Sequence, residues 1–188
     1  MFGLRGRRWV GRGTARAAIV AATLLAMIGG RLGAQDSSAV KRQGWIIGGS
    51  LGMLGSGREA APLELTTVGM SFTQVAPGGL GADIAIGTIP RTLAAGVVVL
   101  GARFDATVPL SIAPGVLLLP AAGLTLVGGA AEGGGGGTAG YNLGAAAVLG
   151  TGTVGFRTGV TWHRLPDIRS GIWLLEVGIA RLPGVAPR

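Results

Sequence analysis

The strongest constraint on the fold is a period-two alternation of apolar residues with polar or small ones, clearest at Thr153–His163. One face of this segment carries Val154, Phe156, Thr158, Val160 and Trp162, and the other carries Thr153, Gly155, Arg157, Gly159, Thr161 and His163. A helix that began at Val154 would turn Arg157 and Thr161 onto the apolar face, so a helical period does not fit. The segment is therefore predicted to be a β-strand with one apolar face.

The alternation recurs in eight segments, each near the length of about 9 to 11 residues with which a tilted strand crosses a bilayer. Leu63–Gln74 is mixed and Val116–Val127 is apolar on both faces, whereas the others are regular. Glycine and proline recur after residue 34, and no later stretch offers the about 18 apolar residues of a spanning helix. Strands must therefore carry the mean hydropathy of +0.57. The eight segments are Trp45–Met53, Leu63–Gln74, Gly79–Thr88, Val97–Ala106, Val116–Val127, Tyr141–Leu149, Thr153–His163 and Ser170–Leu182.

Residues 1–34 have the three parts of an export signal. A basic start extends through Arg16, an apolar run spans Ala17–Ile28, and Gly33 and Ala34 form a small-residue exit. We predict cleavage after Ala34, which leaves residues 35–43 as an N-terminal periplasmic segment; an uncleaved N-terminal anchor is the alternative. Because the chain contains no cysteine, the exported protein must be stabilised by packing and backbone pairing, without disulfides.

The net charge of +8 is concentrated in this leader. All acidic residues follow residue 35, so the rest of the chain has 10 basic against 8 acidic residues, a net charge of only +2. It lacks the clusters of Lys and Arg interleaved with aromatic residues that bind a phosphate backbone. We therefore expect no nucleic-acid partner. The six basic residues of the leader are Arg5, Arg7, Arg8, Arg12, Arg16 and Arg31.

The connections between the predicted strands alternate in length. Tight turns with Gly or Pro are expected at 76–79, 112–115 and 150–152, and longer or charged loops at 56–62, 128–138 and 164–170, with 88–92 as a short exception. Outer-membrane barrels have short periplasmic turns and longer external loops, which fits this alternation. The polyglycine run Glu132–Gly137 is predicted to be a flexible loop, because no helix follows it to form a phosphate-binding turn.

Aromatic and charged residues fall on opposite faces of these strands. The aromatics lie on the apolar face, toward what would be the two membrane interfaces, where amphipathic rings are favoured. They are Tyr141, Trp162 and Trp173 toward the outer rim and Trp45, Phe104 and Phe156 toward the inner rim. The charged residues of the opposite face, Asp83, Arg103, Asp105, Arg157 and Glu176, would point into the barrel.

We expect these enclosed charges to be paired, since eight strands leave an interior just wide enough for side chains. A hairpin centred near Asp167 predicts an ion pair between Arg157 and Glu176, with Asp83, Arg103 and Asp105 completing a polar plug. An ion-selective pore lining is the alternative interpretation of the same residues.

With its leader, its alternating strands such as Val154–Trp162 and its closing strand Ser170–Leu182, the chain resembles the small eight-stranded outer-membrane β-barrel superfamily, which includes the OmpA-type and OmpX-type barrels. The resemblance covers residues 44–183. It implies an all-β fold: an eight-stranded antiparallel up-and-down transmembrane β-barrel, preceded by a signal peptide and followed by a tail at 184–188. The bacterial outer membrane is the expected location.

Chemistry-bearing residues are sparse. His163 is the one histidine, and the only triad that could be assembled around it, with Ser170 and Glu176, lacks a nucleophile motif. No spacing of His, Asp or Glu resembles a metal site, and no cofactor motif is present. We therefore predict that the protein is not an enzyme and carries no metal or cofactor.

The sequence predicts a monomer in the lipid bilayer with a structural or loop-mediated interaction role, a plugged polar interior and an extracellular ligand of unknown identity. Two alternatives remain open. One is a narrow solute channel, porin-like in function. The other is a periplasmic lipocalin-like barrel of inverted sidedness, in which Val154, Phe156, Trp162 and Trp173 would line a cavity for an apolar ligand.

Overall fold

The computed structural model describes residues 44–55, 66–75, 80–166 and 171–183. The predicted signal peptide, the segment 35–43 and the tail 184–188 lie outside these residues. The described strands are β1 (Gly44–Gly55), β2 (Thr66–Val75), β3 (Gly81–Thr88), β4 (Val98–Thr107), β5 (Leu110–Ala113), β6 (Val116–Ala131), β7 (Gly134–Leu149), β8 (Val154–Arg164) and β9 (Ile172–Arg181).

Eight of these strands form a closed antiparallel barrel in the order β1-β2-β3-β4-β6-β7-β8-β9, with β9 paired to β1. The predicted all-β, eight-stranded fold is thus confirmed. The ninth strand, β5, is short and pairs only with the first residues of β6. Closure pairs every long strand on both sides, which removes the exposed edges that an open sheet would have.

The faces of the barrel have the sidedness that the alternation predicts. On β8, Val154 is 63% exposed and Phe156 47% exposed, whereas Arg157 is 6% exposed. On β9, Leu175, Val177 and Ile179 point outward and are exposed. The inverted sidedness of the lipocalin-like alternative is not found. The side chains that would have lined its cavity occupy outward-facing positions of the barrel strands instead.

The two ends of the barrel differ. The terminus end holds Gly44, the end of β9, and the connections β2–β3, β4–β6 and β7–β8. The loop end holds the other connections. One of them, predicted to be short at 88–92, spans residues 89–97 and contains a short helix, α1 (Pro90–Ala94). Among the described residues, no helix is long and apolar enough to cross a membrane.

The prediction of a flexible polyglycine loop is wrong. β6 and β7 pair continuously until Ala131 opposes Gly134, so Gly134–Gly137 lie in a strand and only Glu132 and Gly133 form the turn. Gly133 has a φ of +99°, a backbone conformation that favours glycine. Gly134–Gly137 can extend the strand because backbone groups alone make the ladder, and β6 supplies a partner for each of these four residues.

Candidate functional site

The five predicted interior charges come from four strands that surround the lumen. Asp83 lies on β3, Arg103 and Asp105 on β4, Arg157 on β8 and Glu176 on β9. Their side chains point inward because each occupies the face opposite the exposed apolar residues of its strand. The structure brings all five together in one contiguous network, in which only the Glu176 side chain is as much as 15% exposed.

Arg103 is the centre of the network, since it contacts all three carboxylates. Its Nε lies 2.9 Å from Asp105 Oδ2, its Nη1 lies 3.2 Å from Glu176 Oε2, and its Nη2 lies 3.4 Å from Asp83 Oδ2. Nη1 also donates a hydrogen bond of 2.8 Å to Thr161 Oγ1. Nη1 and Nη2 thus donate hydrogen bonds, whereas Nε is in ionic contact with Asp105 without a hydrogen bond.

Arg157 contacts β3 across the lumen. Its Nη2 lies 3.2 Å from Asp83 Oδ2, and its Nη1 donates a hydrogen bond of 2.8 Å to Thr73 Oγ1. Thr73 in turn donates to Asp83 Oδ1. Asp83 thus accepts from both arginines and from a hydroxyl.

The predicted ion pair between Arg157 and Glu176 is wrong. In the β8–β9 ladder Arg157 opposes Gly178, and Glu176 opposes Gly159. The register therefore differs by two residues from the predicted hairpin. In a narrow lumen a long side chain can instead reach a strand on the far side, and here Arg157 reaches Asp83 while Glu176 reaches Arg103.

A second, uncharged group lies toward the loop end of the network. Thr125 Oγ1 is 2.8 Å from His163 Nδ1 and accepts a hydrogen bond of 3.0 Å from Asn142 Nδ2. Thr125 and Asn142 are not among the interior residues predicted from the sequence, although both occupy inward positions on their strands. His163 is enclosed as well, with 7% of its surface exposed.

The interior has three layers along the barrel axis. At the terminus end, a cluster of apolar side chains lies beside a cavity of about 390 Å³. At the centre, the cavity beside the ionic network has a volume of about 10 Å³, about the room that one water molecule needs. At the loop end, a cavity of about 530 Å³ opens; we call it the vestibule. The apolar layer consists of Ile46, Val75, Leu119, Val148, Ala180 and Leu182.

The six predicted interface aromatics all lie on outward-facing strand positions. Trp45, Phe104, Phe156 and Trp173 are 47 to 49% exposed. Trp162 opposes Trp173 in the β8–β9 ladder, and its ring meets that of Tyr141 edge to face at a centroid distance of 5.8 Å. These three rings lie toward the loop end, and the remaining three lie in the half of the barrel nearer the terminus end.

The arrangement is poorly suited to nucleophilic chemistry. Ser170, the one nucleophile considered for a triad, lies outside the described residues. His163 is bonded to Thr125, and Glu176 is bonded to Arg103. Within the described ranges, no group of His, Asp or Glu side chains is placed to hold a metal ion.

Comparisons with known proteins yield matches among solved structures only. No protein-family model matches the chain, and no curated protein sequence matches it. The N-terminal β-barrel domain of Pseudomonas aeruginosa OprF is similar with a TM-score of 0.57 at 14% identity, over 75% of this chain and 98% of that one. Neisserial surface protein A is similar with a TM-score of 0.50 at 11% identity, over 73% and 94% of the two chains.

These similarities extend over nearly the whole of the matched barrels, and they agree with the eight-strand closure and the antiparallel order described above. The chain has the fold of the small eight-stranded outer-membrane β-barrels.

Proposed function

We propose that the protein is an integral outer-membrane β-barrel with a closed interior, acting as a structural or interaction protein through its loop end. The proposal rests on one observation: the outer face of the barrel is apolar and exposed, whereas the charged side chains are enclosed in its interior. A water-soluble barrel would have the opposite sidedness, since contiguous apolar patches beyond a few hundred Å² are rare on soluble monomers.

Membrane embedding is supported by residues on every side of the barrel. Exposed aliphatic side chains on successive strands would form a continuous belt for hydrocarbon, and aromatic rings toward both ends would occupy the interfaces. Representatives of the belt are Leu51, Met70, Ile86, Leu100, Leu126, Leu143, Val160 and Val177.

We infer the orientation from the connections, which are longer at the loop end at 56–65, 89–97 and 165–171, although the β6–β7 turn there has only two residues. Barrels of this kind have their short turns in the periplasm and their longer loops outside. The terminus end would thus face the periplasm after removal of the signal peptide, and the loop end would face the exterior, where an extracellular ligand or partner could reach it.

A closed interior is favoured over a channel by the layering of the lumen. A solute would have to pass the ionic network, where the free volume is about 10 Å³, and then the apolar layer. Ion passage would require the buried salt bridges of Arg103 to separate, at the cost of desolvated and unpaired charges.

Membrane fractionation and gel mobility test the proposal. We expect the protein in the detergent-soluble outer-membrane fraction, with a folded band that shifts in mobility only after boiling. Recovery in the soluble periplasmic fraction without detergent would contradict it.

Two further measurements test the closed interior and the monomer. Stepwise conductance of the purified protein in a planar bilayer would establish the channel instead. Light scattering of the nanodisc-embedded protein would test the proposed monomer.

A further inference from the structure

The vestibule combines apolar walls with a charged floor. Its volume of about 530 Å³ lies within the range of about 300 to 1,000 Å³ typical of small-molecule sites. Its walls include Val99, Val127, Leu165 and Leu174, and Glu176 and Arg103 lie at its floor. Such a site suits a molecule with an apolar body and one polar group at its leading end.

The floor favours a positive group over a negative one. The network below the vestibule contains three carboxylates and two guanidiniums, which leaves a formal charge of −1. Each nitrogen of Arg103 already lies within 3.4 Å of a carboxylate oxygen of the protein. An anionic group would therefore have to compete with carboxylates for this arginine.

Glu176 is the acceptor best placed for a ligand. Its side chain is 15% exposed, whereas that of Arg103 is 7% exposed and that of Asp105 is 1% exposed. One oxygen, Oε2, accepts from Arg103 at 3.2 Å. The other, Oε1, has a contact of 3.4 Å with Ser50 Oγ, which is long for a hydroxyl donor to a carboxylate.

We infer that the vestibule binds a lipophilic cation, with the apolar body against Val99, Val127 and Leu174 and the amine or ammonium group beside Glu176. An isolated ammonium group would be costly to place between apolar walls, but a desolvated carboxylate at the floor compensates it. The inference concerns the ligand class and goes beyond the proposed role of the barrel, which holds whether or not the vestibule is occupied.

Three probes with the same ten-carbon chain test it: decyltrimethylammonium, decanoate and decanol. Each is dialysed to equilibrium against phosphatidylcholine nanodiscs that contain the protein and against empty nanodiscs, which correct for partition into lipid. We expect one decyltrimethylammonium per barrel, bound about tenfold or more tightly than decanoate or decanol, as expected for one ionic contact with a partly desolvated carboxylate.

Two variants locate the site. Glu176→Gln should weaken decyltrimethylammonium about tenfold and leave decanol unchanged. Leu174→Trp should narrow the vestibule above Glu176 and weaken all binding, whereas Leu175→Trp, the adjacent outward residue, is the matched control and should bind as the unchanged protein does. Heat-dependent gel mobility verifies that each variant folds. If Glu176→Gln does not fold, Leu174→Trp still shows whether the probe binds in the vestibule. Equal affinity for the three probes, preference for decanoate, or unaltered binding by Leu174→Trp would each overturn the inference.

Discussion

Among single residues, Arg103 has the largest expected effect on stability, because three buried carboxylates depend on it. Arg103→Met would leave them with Arg157 as the one remaining guanidinium of the network. Removing one partner of a buried ion pair costs about 3 to 5 kcal/mol, since the remaining charge is uncompensated. We expect a loss of that size in the free energy of unfolding, measured by urea titration of the barrel in lipid vesicles with tryptophan fluorescence.

Two other arginines provide graded controls for Arg103→Met. Arg157→Met should cost less, about 1 to 3 kcal/mol, because Asp83 keeps its contact with Arg103. Arg181→Met should have an effect within about 0.5 kcal/mol, since Arg181 is exposed at the terminus end. Equal losses in all three variants would contradict the central position of Arg103.

The partner of Arg157 can be identified by a double-mutant cycle. The cross-lumen contact with Asp83 predicts a coupling free energy of about 1 to 3 kcal/mol between Arg157→Met and Asp83→Asn. The same cycle with Glu176→Gln should give less than about 0.5 kcal/mol, because Glu176 contacts Arg103 instead. The reverse order of the two couplings would restore the pairing expected from the sequence.

At the scale of elements, the β6–β7 hairpin is the one whose structure differs most from expectation. Residues 134–139 of β7 pair with β6, but within the described residues the β8 ladder begins only at Tyr141. Because successive amides of a strand point to opposite sides, every second amide of 134–139 should be protected from hydrogen exchange. Amide exchange followed by NMR in nanodiscs measures this, and residues 141–149, paired on both sides, are the internal control. Uniformly rapid exchange across 134–139 would support a flexible loop.

The sequence predicts faces better than it predicts partners. That Val154 is outside and Arg157 inside follows from the alternation of β8 alone, because side chains of a strand alternate by geometry. The contact between Arg157 and Asp83 joins residues 74 positions apart, and it depends on the register and curvature of the whole barrel. For the same reason Thr125 was missed: β6 is apolar on both faces, and its inward side is defined only by its neighbours. Asn142 lies on the inward face that the alternation of β7 predicts, but its contact with Thr125 joins two strands.

At the scale of the whole molecule, the outward apolar face must contact hydrocarbon if the protein spans a bilayer, and charge on that face should have a cost that depends on depth. Val177 lies near the middle of β9 and is 50% exposed. Val177→Arg should therefore lower the free energy of unfolding in lipid vesicles by about 2 to 4 kcal/mol, and Ile179→Arg, closer to the terminus end, by less, since the cost falls to about 0 to 1 kcal/mol at the interfaces. Arg181, a natural arginine two residues further along the same face, fits this gradient. In a water-soluble barrel both substitutions would be nearly neutral or would improve solubility, because the same positions would face water. Vesicle unfolding titrations of the two variants thus distinguish a bilayer from water around the barrel, independently of any ligand or partner at its loop end.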